Sequence, residues 1–146
     1  MSLFPLIDAP DTGQLPTNGS LPLCREVDWN FETNRPVWRG GQPVFVTGAR
    51  AVLVWAWNAL HTQRFAHDVF SANYGQDISR LIGRPYSDGV RQSEAIRIVR
   101  DTLLVNPYIT AVEQIEVAFE GSTLHLTARL KTIYGEETID GLDIAL

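Results

Sequence analysis

The feature that most constrains this chain is a period-two apolar alternation running through its last third. Ile115, Val117 and Phe119 occupy odd positions, and Leu124, Leu126, Ala128 and Leu130 occupy even ones. Such a period means β-strand, with one face in the core and the other in water. Odd positions meet even ones across an antiparallel pair only when the loop holds an even number of residues. A two-residue turn at Glu120-Gly121 satisfies this, opposing Val117 to Leu124 and Ile115 to Leu126. The polar face then carries Glu116 opposite His125 and Gln114 near Thr127, with Arg129 and Lys131 continuing the row.

Beyond Tyr134-Gly135 the pattern changes parity. Ile139 lies on an odd position, whereas Leu142, Ile144 and Leu146 lie on even ones, with Gly141 between them. A bulge at Gly141 would put all four on one face, because one extra residue reverses the alternation and glycine tolerates the backbone it needs; the alternative is that the strand ends there. The sequence given ends on this acidic, partly apolar strand. Two readings follow: an internal edge blunted by Glu136, Glu137 and Asp140, or an open edge whose N–H and C=O groups another chain takes up.

A chain of 146 residues fits one domain that buries roughly two-thirds of its unfolded surface. Its net charge of −5 argues against nonspecific binding to nucleic acid or to an anionic membrane, both of which rely on a basic surface. The single Cys24 excludes an internal disulfide. No apolar run reaches the length of a membrane span, and Met1 to Pro22 lacks the basic and apolar regions of a secretion signal. A soluble protein made in the cytoplasm is expected.

Residues 1–24 contain Pro5, Pro10, Gly13, Pro16, Gly19 and Pro22 without a periodic apolar set, and read as an extended arm ahead of one domain over residues 25–146. Such an arm can order along a partner. Val27, Trp29 and Phe31 alternate as a short strand, and Arg39-Gly40-Gly41-Gln42 reads as a hairpin turn between Val37-Trp38 and Pro43 to Val46. Thr47 is the expected N-cap of a helix from Gly48 to Leu60. Val52, Trp55, Ala56, Ala59 and Leu60 form one face of it, and Leu53 and Trp57 widen that face enough to require burial on more than one side. A short second helix is predicted over Gln76–Ile82, stopped by Gly83. A third, whose pattern spans about Gln92 to Val105 and which Ser87 or Asp88 could open, turns Ala95, Ile96, Val99 and Leu103 inward, and Pro107 ends it. The fold class is therefore α+β: about three helices packed on an antiparallel sheet with an exposed C-terminal edge strand.

Residue patterns for catalysis are weak. His61, His67 and His125 have no metal-ligand spacing, no nucleophile elbow is present, and no Gly-rich phosphate loop occurs. Neither a metal nor a cofactor is predicted, and no catalytic residue. Asp68 with Asp77, or Asp28 with Glu32, could be drawn as a glycosidase carboxylate pair, but among seventeen acidic residues some such pair is inevitable.

From Glu26 onward the chain resembles the small baseplate wedge proteins, or sheath initiators, of contractile-tailed phages, defective prophages and phage-tail-like bacteriocins. The likeness is strongest to the small tail protein of defective Bacillus-type prophages. It is carried by Asp28-Trp29-Asn30-Phe31-Glu32-Thr33, by Leu60-His61-Thr62-Gln63-Arg64-Phe65, and by Tyr74-Gly75 followed by Leu81-Ile82-Gly83. Where the wider family has Glu-Pro-Arg at a contact between wedge subunits, this chain has Asn106-Pro107-Tyr108, so Tyr108 would act there by packing and one hydrogen bond instead of a salt bridge.

The resemblance implies a structural, non-enzymatic protein in several copies at the baseplate of a virion tail, assembled in the host cytoplasm. It implies as partners the tail sheath protein, other wedge subunits, and tail tube or hub proteins. It also implies that the C-terminal strands copy the strand-exchange region of the sheath protein and template the first sheath ring. The expected contact residues are Asn106, Pro107 and Tyr108 with Thr132, Tyr134, Glu136, Thr138, Ile139, Asp140, Leu142 and Ile144. A peptidoglycan-cleaving glycosidase and a general adaptor binding through its arm are the alternatives.

Overall fold

The computed structural model describes residues 20–146. Residues 1–19, most of the stretch read as an arm, lie outside the described residues. The described residues open with six short strands, β1 (Arg25–Val27), β2 (Trp29–Asn30), β3 (Arg35–Pro36), β4 (Trp38–Arg39), β5 (Gln42–Pro43) and β6 (Phe45–Thr47). They pair as β1 with β6, β2 with β3 and β4 with β5, all antiparallel. Gly40 and Gly41 take φ of +59° and +77° in the two-residue turn that joins β4 to β5, which is the backbone a tight hairpin demands.

Helix α1 (Gly48–His61) follows directly. Thr47 stands at its N-cap position but makes no side-chain cap; the Gly48 N–H is taken up by Cys24 O at 3.0 Å. Ala51, Val52, Leu53, Val54, Ala56, Trp57, Ala59 and Leu60 are all buried, so the helix is surrounded on nearly every side, as its broad apolar surface requires. Helix α2 (Asp88–Leu104) starts at Ser87, whose Oγ accepts from Val90 N–H at 3.4 Å. It buries Ala95, Ile98, Val99, Thr102 and Leu103. Ile98, not Ile96, takes the inward position, and Ile96 is only half-buried.

The helix expected at Gln76–Ile82 is a correction: the described residues form two α-helices, and this segment holds one 3₁₀ turn, Ile78–Leu81. Gly75 and Gly83 bracket it with positive φ, and Gln76 Oε1 takes the N–H of Ile78 at 2.6 Å. Seven residues between two such stops cannot offset the cost of nucleating an α-helix. A 3₁₀ turn instead aligns positions three apart, and Ile78 and Leu81 both enter the core.

Strands β7 (Ile109–Glu120), β8 (Thr123–Thr132) and β9 (Gly135–Ala145) form a meander in the order β7-β8-β9. Leu124, Leu126, Ala128 and Leu130 of β8 and Ile139, Leu142 and Ile144 of β9 are buried against the two helices. The turn between β7 and β8 is Gly121-Ser122, not Glu120-Gly121. Val117 therefore faces Leu126, Phe119 faces Leu124, Ala118 faces His125 and Glu116 faces Thr127. A shift of two residues leaves every side chain on its expected face and adds the Phe119–Leu124 pair to the ladder.

Besides a register shift between Ile109 and Ala111 at the start of β7, two bulges tune the sheet. One lies at Gly141, with φ +64°, where the register against β8 shifts between Leu126 and Ala128. Ile139, Leu142 and Ile144 thus share the inner face. The other lies between Glu113 and Glu116 on β7, where Gln114 has φ +49°. It brings Val112 onto the inner face with Ile115 and Val117.

Candidate partner-binding edge

Strand β9 has β8 on one side and no strand on the other among the described residues. Which of its backbone groups face outward follows from the ladder. Leu146 N–H donates to Ser122 O at 2.7 Å, and Leu142 and Ile144 continue that register opposite Leu126 and Leu124. In an antiparallel pair the residues opposite each other alternate between bonded and non-bonded. The N–H and C=O of Asp143 and Ala145 therefore point away from β8, toward the open side.

Apart from the half-buried Tyr108, the expected contact residues divide into three sets. Ile139, Leu142 and Ile144 put their side chains in the core and can offer a partner only backbone. Asn106 and Thr132 are buried and shape turns: Asn106 Oδ1 accepts from Tyr108 N–H at 2.8 Å. Thr132 Oγ1 donates to Gly135 O at 2.8 Å and accepts from Tyr134 N–H at 3.1 Å. Pro107, Tyr134, Glu136, Thr138 and Asp140 are exposed, with Glu136 beside Lys131 and Thr138 beside Arg129 in the register.

Tyr108 and Tyr134 come together although 26 positions apart, their rings stacked at 6.1 Å and 14°. Both hydroxyls hold the chain that leads into β1: Tyr108 Oη donates to Pro22 O at 2.6 Å, and Tyr134 Oη accepts from Cys24 N–H at 3.0 Å. The single hydrogen bond expected of Tyr108 is thus made to its own chain. Cys24 itself is buried, and burial, with a smaller contribution from the Glu26 charge, pushes its thiol pKa up. A thiol so placed is a poor nucleophile.

Sequence reasoning missed the surface beside β9. A groove of about 560 Å³ runs along its open side, with Phe31, Glu32, Trp57 and His61 on one wall and Asp143 and Ala145 on the other. Phe31 stacks on Trp57 at 4.4 Å, and Trp57 Nε1 donates to Asn34 Oδ1 at 3.0 Å. The period-two set containing Phe31 is visible in the sequence; its position next to the chain's last strand is not, because nearly the whole fold lies between them.

One carboxylate of each acidic pair is engaged by an arginine. Asp28 is bound by Arg50 at 3.0 Å, and Asp77 lies 3.5 Å from Arg80. Among the described residues, no cluster of three or more His, Cys, Asp or Glu is placed to hold a metal ion, and no helix is long and apolar enough to cross a membrane.

Comparison with known proteins decides what kind of component carries this edge. Residues 25–135 match the family described as contractile injection system sheath initiator. The chain belongs to that family. It is also 25% identical, over 96 residues, to the phage-like element PBSX protein XkdS of Bacillus subtilis (strain 168), an alignment covering 65% of this chain and 68% of that protein. As a sheath initiator, the chain has a structural role tied to the sheath of a contractile tail. The family match runs through β7 and β8 and stops at Gly135, the first residue of β9.

Proposed function

We propose that this sheath initiator is a baseplate component of a contractile phage tail or tail-like particle. It links wedge or tube subunits to the sheath and nucleates the first sheath ring by accepting a strand of the sheath protein on β9. The observation that carries this reading is the outward-facing backbone of a long, otherwise well-packed strand. Each added main-chain hydrogen bond contributes about 0.5–1.5 kcal/mol net. A handful per subunit, repeated around a ring, gives a joint that is firm only when the geometry of the whole ring is right. The role is mechanical and needs no catalytic group. Wedge, tube or hub contacts fall to Pro107 and to the residues ahead of β1.

Deleting β9 would remove Ile139, Leu142 and Ile144 from the core, so an additive test is cleaner. Thr138 is exposed on β9 and Cys24 is buried, which makes Thr138→Cys a selective handle. Labelled there with a short maleimide–diazirine photo-crosslinker, which needs no thiol on the partner, assembled particles should on irradiation yield an adduct between this chain and the sheath protein. Baseplates without sheath should not. Normal sheath attachment with no such adduct would overturn the mechanism.

A further inference from the structure

The open side of β9 and the groove beside it are two halves of one surface. Four backbone groups, the N–H and C=O of Asp143 and of Ala145, face outward and make no hydrogen bond among the described residues. Directly alongside, helix α1, which packs on the inner face of β9, contributes Trp57 and His61, and these with Phe31 form the wall of the groove facing Asp143 and Ala145. A further strand laid on β9 would turn alternate side chains to opposite faces. Those on the inner face would enter this groove. Those on the outer face would stand beside the row that contains Asp140 and Asp143.

Charge narrows the occupant. Glu32, Asp143 and His61 line the groove, Asp143 being already hydrogen-bonded to His125, and no Lys or Arg lines it. Asp140, exposed at the adjoining bulge, has no ion-pair partner among the described residues. A strand bearing its own carboxylates on the outer face would meet like charge; one bearing Lys or Arg would be steered in and held in register.

We infer that Gly141–Ala145 and the Phe31–Trp57 groove together seat one extended segment of a neighbouring polypeptide, with apolar side chains facing the groove and basic ones alternating on the outer face. This rests on the strand-acceptor reading above and deepens it. It places the contact on the C-terminal half of β9 and states the chemistry of the partner strand.

The test uses the full chain and three eight-residue peptides: one alternating valine and arginine, one of the same composition in two blocks, and one alternating valine and glutamate. Only the first should bind, and binding should slow hydrogen exchange at the Asp143 and Ala145 amides and change Trp57 fluorescence. Ala145→Pro removes one outward N–H without touching a bond to β8 and should weaken the peptide about tenfold. Ala145→Val keeps that N–H and should bind like the unaltered protein, with circular dichroism confirming that both variants are folded. Equal binding of the block peptide, protection at the β7 edge instead, or indifference to Ala145→Pro would overturn the inference. So would slow exchange at these two amides before any peptide is added, because the groove would then be filled by the chain's own first residues or, if concentration-dependent, by a second copy. A Thr138 adduct with sheath but no Val-Arg binding would leave the sheath-acceptor role standing and sink only the groove. Peptide binding without the adduct would mean that the edge takes its strand from another chain.

Discussion

Residues 25–47 and residues 109–145 are both β structure, yet the first puts 14 of its 23 residues into six strands of two or three, whereas the second puts 33 of its 37 into three strands of 10 to 12. Strands as short as the first set offer too few ladder bonds to hold themselves. Polar side chains fasten them instead. Asn34 Oδ1 accepts from both indoles, Trp29 Nε1 at 2.9 Å and Trp57 Nε1 at 3.0 Å. Asn30 Oδ1 accepts from the N–H groups of Glu32 and Thr33. Arg50 bridges Asp28 and the carbonyl of Trp29 while lying over the Phe31 ring. The long meander needs no such fasteners, because its ladders and its apolar inner face suffice. Where side chains fasten the chain, individual residue identities matter; where periodicity does, apolar volume matters.

The sharpest way to break that contrast is to remove volume from the meander. Leu126 is 1% exposed and sits between Val117 and Leu142 in the ladder. Leu126→Ala should cost about 2–5 kcal/mol, the sum of lost transfer energy and residual cavity, read as a fall in the urea midpoint at unchanged slope. A cost under about 1 kcal/mol would mean that the sheet face is not the core it is taken to be.

The fastened region should lose less, and through a different mechanism. Asn34→Ala leaves the buried Trp57 N–H without its acceptor, for about 1–3 kcal/mol, and places alanine at φ +52°, a region that asparagine tolerates better. Asn34→Gly removes the acceptor but not the conformational freedom. The difference between the two variants isolates the backbone part, and tryptophan emission reports the loss of the indole bonds. If Asn34→Gly proves neutral, the indoles are not what holds this loop.

How much could be read in advance follows the same division. The inner face of β8, the parity change corrected at Gly141, the Gly40-Gly41 turn and the wide apolar surface of α1 are patterns of period and glycine placement, and the structure has all of them. The bulge at Gln114 escaped because no glycine marks it. The short helix was over-read because Ile78 and Leu81 fit an α-helical and a 3₁₀ spacing equally well. Asn34 gave no signal, since one of its partners is 23 residues away. The edge residues were legible as a strand, but not the fact that Ile139, Leu142 and Ile144 turn their side chains inward and leave the backbone of Asp143 and Ala145 facing out. The groove joins positions 31 and 145, and no local pattern spans that distance.

The smallest expected effect lies on the wet face of the meander, where one side-chain cluster resembles the fasteners of the first region. His125 is held by Asp143 through Nδ1 and by Glu120, 3.0 Å from Nε2. The hydrogen bond to Asp143, followed by that to Glu120, holds the imidazole pKa above its ordinary value. Because the folded pKa is raised, the stabilisation is fully present below the unfolded pKa of His125 and is lost as pH rises through the folded one. The cluster is exposed, so solvent screens it and the change in melting temperature across that window should be slight. The titration itself is the better measurement. Followed by NMR at the His125 ring, Asp143→Asn should bring the pKa down further than Glu120→Gln does, and the double variant should return it close to that of an unpaired histidine. Equal shifts from the two single variants would show that the cross-strand partner has no priority over the one near the turn. The polar face of the sheet would then be a field of interchangeable charges, unlike the specific fastenings of residues 25–47.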